Sequence, residues 1–336
     1  MKEIDSVSAD LQQIQIIAQI VKSLTLKNDF LLRPFLSLEV EAEIKARMLF
    51  FSVGICHQTY ALADRNRNLF GWDYLEDGFI RIARSNSLLL DPVWLGDNSI
   101  LTICDHIRPF FSPTGIPEDC TLDRLDERAG LWKNMAVVLN RDFKSSVLYL
   151  IAMANKHVNA DDIGFYHLLP GFGAYTDPLF KKASFLLKLL GDAGFVALKD
   201  PENLVPVMDY HMQRVLLRTG CVVINNPELE TELKCRYPTA SEPVIREKCI
   251  QAMRMISDYS EVELLRMNDI FYMLGRSCCL DNPLCASGFC DKKPCSLTRT
   301  VELLNHESCI FTKGCAAIRD SSFLKYWHPV TETHYY

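Results

Sequence analysis

The chain has 336 residues, 49% of them hydrophobic, and a formal net charge of −6. That length and apolar content allow one large domain or two ordinary ones around a sizeable core, and they exclude bulk disorder. The acidic balance counts against a broad basic nucleic-acid surface but not against a local basic groove, and no apolar run approaches the roughly 18 residues of a membrane span.

Thirteen cysteines are present. Secreted disulfide scaffolds are short and follow an apolar signal, and Met1-Lys2-Glu3-Ile4-Asp5 has no such core. The expectation is a monomer that is not secreted, either cytoplasmic or resident in a nucleoid or nucleus. Its clustered cysteines are expected to bind metal, and the rest to be ordinary thiols.

Residues 8–26 place Leu11, Ile14, Ile17, Ile20, Val21 and Leu24 at helical spacing, and residues 40–63 read as a second helix. Residues 66–130 read as an irregular insertion. They carry the turn signals Gly71-Trp72-Asp73, Asp91-Pro92 and Ser112-Pro113-Thr114-Gly115-Ile116-Pro117. An apolar helix is predicted over 143–158. After Asp161-Asp162 comes a short helix ending at Leu168-Leu169, then the glycine hairpin Leu169-Pro170-Gly171-Phe172-Gly173.

The next predicted helix spans 178–190, with Asp177 as N-cap and Pro178 in the first position. Within it, Lys182 shares a face with Leu179, Leu186 and Leu189, while Lys181 aligns with Lys188 on the wetter face. A loop over 195–206 leads to a helix starting at Asp209. A proline-marked segment around 226–245 reads as inserted, and helices follow over 244–257 and 260–275. A cysteine-rich loop and a tail of aromatic and polar character close the chain. The fold class is mainly α. The organisation reads as an N-terminal helical region (1–135), a hairpin and aspartate region (136–225), helices with a cysteine loop (226–295), and an extension (296–336).

Three stretches carry chemistry. A hairpin with Gly171 and Gly173 permits positive φ and close backbone approach, and its amides with the next helix N-terminus can hold a phosphate. Asp209 opens an amphipathic helix, where a fixed carboxylate stabilises a developing cation and orients water, and also caps the helix. Cys278-x6-Cys285-x4-Cys290-x4-Cys295 places four thiols in a short loop, a set suited to a [4Fe–4S] cluster or to zinc. Cys279 is an alternative to Cys278, and Cys309 and Cys315 lie near enough to join or to form a second site. Lys292 and Lys293 in that loop are candidates to meet phosphate.

In this order the stretches resemble the endonuclease III-type helix-hairpin-helix DNA glycosylases. Leu169-Pro170-Gly171-Phe172-Gly173-Ala174-Tyr175-Thr176 looks like that family's Leu-Pro-Gly-Val-Gly-x-(Lys/Tyr/Ser)-Thr. Pro206-Val207-Met208-Asp209-Tyr210-His211-Met212-Gln213-Arg214-Val215 looks like its catalytic aspartate segment. Gly275-Arg276 before Cys278 resembles the entry to its cluster loop, whose later cysteine spacings differ from those here. The resemblance implies a two-lobed glycosylase fold with a C-terminal metal loop. It implies an enzyme that binds double-stranded DNA, extrudes a damaged, mismatched or modified base and cleaves the N-glycosidic bond.

Asp209 would stabilise the sugar cation. The nucleophile position falls on Tyr175 by direct alignment, which favours hydrolysis. It falls on Lys182 if Lys181-Lys182-Ala183-Ser184 matches the Lys-x-Ala-Ser segment of archaeal-type 8-oxoguanine glycosylases, which favours strand cleavage. Gln58, in Ser52-Val53-Gly54-Ile55-Cys56-His57-Gln58-Thr59, would fill the gap left by the base. Gly171, Gly173, His211 and Arg214 would contact DNA or orient the aspartate. Val53 stands where adenine-specific members carry a glutamate, so that specificity is not implied. Trp72, Asp73, Tyr74, Glu76 and Asp77 would either shape a base pocket or pack. Two alternatives stand beside this reading: an N-glycosidase for a modified nucleoside or nucleotide, and a non-catalytic nucleic-acid-binding protein.

Overall fold

The computed structural model describes residues 6–160, 163–290, 295–303 and 305–336. Among these, 59% are helical and 5% lie in strands, against about one third and one quarter in an average domain, so the protein is mainly α. No helix among the described residues is long and apolar enough to cross a membrane.

In chain order, strand β1 (Val7–Ala9) leads into α1 (Leu11–Lys22), whose N-cap Asp10 accepts the Gln13 amide at 3.0 Å. After α2 (Ala42–Gly54), a small hairpin of β2 (Ala63–Asp64) and β3 (Leu69–Phe70) precedes α3 (Trp72–Arg84). Then come α4 (Ile100–Ile107), α5 (Leu125–Asp142), α6 (Val147–Met153) and α7 (Lys181–Asp192). The chain continues through α8 (Tyr210–Thr219), β4 (Val222–Ile224), α9 (Pro227–Cys235), α10 (Glu242–Ser260) and α11 (Leu264–Ser277).

The chain forms two compact units. A terminal unit joins Met1–Leu31 to Pro206–Glu332, and a central unit comprises Leu32–Val205 with Thr333–Tyr336. The divisions read at 135, 225 and 295 do not coincide with these. The reason is long-range pairing: β1 runs antiparallel to β4, with Ser8 opposite Val223, and α1 packs on α10.

In the terminal unit, Ile14, Ile17 and Val21 of α1 share a core with Leu216, Ile245, Met253 and Phe271. Each such side chain contributes about 1.5–3 kcal/mol when fully buried. α8 and α11 approach closely at Gly275, where a Cβ would lie 2.7 Å from the His211 carbonyl oxygen. The central unit is built on aromatic rings. Trp132 of α5 stacks on Phe79 of α3 at 4.8 Å between centroids, and Phe50 of α2 stacks on Tyr175 at 5.3 Å.

Several boundaries differ from the sequence reading. The first helix starts at Leu11 because Ser8 and its neighbours join a strand. The second stops at Gly54 rather than 63, because buried cations from α5 and α7 take its last carbonyls and Gln58 turns to φ 44°. The 66–130 segment is largely helical. Asp91 accepts the Val93 amide at 2.9 Å with Pro92 in the first position, so Asp-Pro starts the short helix Pro92–Asp97. In α3, Trp72 and Tyr74 are core residues, and buried Glu76 pairs with buried Arg33.

The helix read over 143–158 narrows to Val147–Met153 because Ser146 caps it. Asp177 accepts from Leu179 and Lys181 amides and shapes a turn, with Phe180 at φ 56°, so the helix begins three residues after Pro178. The 226–245 segment contains α9, capped by Asn226.

Candidate active site

In the central unit the chemistry gathers at the C-terminus of α2. Lys182 lies in the first turn of α7 with no exposed surface, and its Nζ donates to the Gly54 carbonyl at 2.5 Å. Arg128 of α5, also fully buried, donates Nη1 to the next carbonyl, Ile55. Two buried N–H donors thus cover the carbonyl end of one helix. Burial pulls the Lys182 amine down to about 7, and neighbouring Lys181 and Arg128 push it the same way. A substantial fraction of this amine is therefore neutral near pH 7, as a nucleophilic lysine requires.

The wetter face read for Lys181 and Lys188 is not wet. Lys181 is 7% exposed, with Nζ 3.7 Å from the Cys56 sulfur, and Lys188 is buried and paired with Asp192 at 2.6 Å. The Lys188–Asp192 pair is an i,i+4 contact within the helix, whereas the Cys56 partner of Lys181 lies outside the reach of helical periodicity.

Tyr175, the other reading of the nucleophile, is a core residue at 1% exposure. Its hydroxyl donates to the Phe50 carbonyl at 2.7 Å, and burial raises its pKa well above the usual phenol value. Its proton is committed to holding α2 against the hairpin turn.

Sequence reasoning passed over His57. It has no exposed surface, and among the described residues neither ring nitrogen has a hydrogen-bond partner; the nearest carboxylate oxygen, of Glu127, is 3.5 Å from Nε2. Burial and the cations Arg128, Lys182 and Arg124 hold its pKa far below the ordinary imidazole value, so the ring is neutral. A buried polar group left in this state calls for an explanation. The only sequence signal was its position beside Gln58.

Gln58 itself has left the helix. Its amide donates to the Tyr336 carbonyl at 3.0 Å, and its Oε1 accepts from Arg124. The tail also reaches the hairpin, where His334 Nε2 lies 3.4 Å from Thr176 Oγ1.

The hairpin consists of two short 3-10 turns, Leu169–Gly171 and Gly173–Tyr175. Neither Gly171 nor Gly173 takes positive φ, contrary to the expected use of glycine. Gly171 faces open space, whereas the Gly173 amide donates to Asn134 Oδ1 at 2.8 Å.

In the terminal unit, Asp209 stands at the N-cap of α8 as expected. Its carboxylate accepts the Met212 amide at 3.0 Å, and the residue is 7% exposed. Arg214, read as a DNA or aspartate contact, is an internal strut at 2% exposure. Its guanidinium donates to the Cys279 and Gly275 carbonyls at 2.8 Å each, and it also bonds Nδ1 of His211 and of His328. Burial lowers its pKa to about 10, which leaves it charged at neutral pH. Burial and Arg214 depress His211 well below the usual range, so His211 is a neutral acceptor.

The four thiols expected to hold a cluster are Cys278, Cys285, Cys290 and Cys295. Cys278 and Cys295 are buried and the other two half-buried. All thirteen cysteines are free thiols. One pocket is lined by Cys278, Cys279, Cys285, Cys309 and Cys315, together with Arg218; among the described residues Cys290 and Cys295 do not line it. The expected set therefore fits a four-iron cluster only in part. Among the described residues, no three His, Cys, Asp or Glu side chains stand close enough to hold a single metal ion. Lys292 and Lys293 lie outside the described residues.

Compared with known proteins, the chain matches no family model and no curated protein.

Proposed function

We propose that this protein is an N-glycosidase that cleaves the bond between a base and its sugar. The observation that carries the reading is Lys182, an amine with no exposed surface whose pKa falls to about 7 in the same unit as an unpaired neutral His57. Asp209, held at a helix N-cap in a Pro-Val-Met-Asp segment, supports it independently. In this scheme the Asp209 carboxylate offsets positive charge developing on the sugar. Lys182 is by itself the candidate nucleophile, because its amine is in part neutral near pH 7. Where a [4Fe–4S] group is bound it supplies local structure, and the sugar chemistry belongs to the chain's own residues.

The first substrate reading is a flipped base in duplex DNA, which the order hairpin, aspartate, cysteine loop supports. A second, a modified nucleoside or nucleotide, is favoured by three observations. The Gly173 amide already bonds Asn134, Gln58 is tied to Arg124 and Tyr336, and the net charge is −6. A base-release screen over lesion-bearing duplexes and free modified nucleosides separates the two. Release only from duplexes, with salt-dependent binding, selects the first, and release only from monomers selects the second. If no panel member loses its base, and borohydride traps no adduct on abasic DNA, the glycosidase reading is overturned.

A further inference from the structure

The thiols that share a void in the terminal unit are not the four that the loop spacing selects. Cys279, Cys285, Cys309 and Cys315, together with Cys278, line one pocket that is partly open to solvent. Its other walls are largely apolar, Val215, Leu274 and Phe311 among them, so the sulfurs gather against one apolar surface. The four form two pairs with one spacing, Cys279-x5-Cys285 and Cys309-x5-Cys315. Each pair comes from a tight segment. Cys285 sits in the short helix Leu284–Ser287, and the Cys315 amide donates to the Phe311 carbonyl at 2.8 Å.

Arg218, 3% exposed, binds this region from α8. Its Nη1 lies 3.7 Å from the Cys279 sulfur, and its carbonyl accepts from the Cys315 thiol at 3.4 Å. Cys279 is an electrostatic neighbour of Cys285, Cys309 and Cys315; Cys278 neighbours Cys279 and Cys309 as well as Cys290 and Cys295.

We propose that Cys279, Cys285, Cys309 and Cys315 form a four-thiolate centre for a thiophilic metal, with the Arg218 guanidinium offsetting its negative charge. Thiolate ligation of this kind suits zinc or an iron–sulfur cluster. The sulfurs surround a void rather than converge on a point, and a cubane holds its thiolates farther apart than a single ion does, so the arrangement suits a cluster better. The centre would clamp the segment around Cys309–Cys315 to α8 and α11. It does not depend on the reaction proposed above.

The test uses the full chain, purified without oxygen and loaded either with ferrous iron and sulfide or with Zn2+. Iron, zinc and acid-labile sulfide are counted per chain; labile sulfide marks the cluster, and one zinc without sulfide marks the single ion. Cys279→Ser, Cys285→Ser, Cys309→Ser and Cys315→Ser are each expected to lose at least tenfold in metal retained against a chelator, and Cys290→Ser and Cys295→Ser to retain it. Alkylation of the unmutated protein, mapped by mass spectrometry, guards against misfolded variants. Metal should protect Cys279, Cys285, Cys309 and Cys315, and chelation should expose them. Failure to take up metal under either loading, or protection falling on Cys290 and Cys295 instead, overturns the proposal.

Discussion

Replacing Lys182 by Met should make the central unit more stable at neutral pH and abolish nucleophilic chemistry. Lys182 is completely buried, and its pKa falls from 10.5 to about 7. At 1.36 kcal/mol per pH unit, that fall corresponds to about 5 kcal/mol lost on folding at or below pH 7. Between about pH 7 and 10.5 the unfolded chain holds a proton on this amine that the folded chain has released, so this term makes stability rise with pH across that window. Met fills similar space without a charge but removes the lysine donor to the Gly54 carbonyl, which costs about 1–3 kcal/mol. The net gain at pH 7 is about 2–4 kcal/mol, shrinking to zero or reversing by about pH 10. Urea unfolding followed by tryptophan fluorescence measures this well, because Trp72, Trp94 and Trp132 lie in the central unit. Parallel stability profiles of the two proteins from pH 7 to 10 would refute the argument, since the amine would then titrate normally in the fold.

Borohydride trapping on abasic DNA should give a covalent adduct that Lys182→Met loses and Tyr175→Phe keeps; loss in the tyrosine variant alone would reverse the assignment. Adduct yield should rise with pH through about 7, where the amine loses its proton, and then level off. Asp209→Asn keeps an oxygen for the Met212 amide, so the unfolding midpoint should move little while base release falls by about a hundredfold or more. Activity near the parent level would remove Asp209 from the chemistry. Gly275→Ala would push a Cβ to 2.7 Å from the His211 backbone, so we expect a loss of about 1–3 kcal/mol in the terminal unit, read by thermal unfolding.

Local signals were the legible ones. The helix after Asp209 is announced by its cap, and three residues on the Met212 amide binds that carboxylate. The inward course of Lys182 followed from sharing a face with leucines. What helical period cannot convey is the partner on another element: Lys181 meets Cys56 across 125 residues of sequence. His57 was opaque for the same reason, because its neutral state is set by burial first and then by Arg128, Lys182 and Arg124. The loop spacing pointed to Cys290 and Cys295, whereas the void recruits Cys309 and Cys315 from the tail, whose approach depends on turns around Phe311.

The pairing of β1 with β4 and of α1 with α10 has a consequence during synthesis. Domains fold as they emerge at about 5–20 residues per second. Helix α1 ends at Lys22 and its partner begins at Glu242, so the apolar stripe of Ile14, Ile17 and Val21 waits roughly ten to forty-five seconds for its mate at that rate. Residues 32–205 emerge in that interval and can condense first. Nascent-chain stalls placed before Glu242 should therefore show protease resistance in the central segment while the leading helix stays open to cleavage and to chaperone capture.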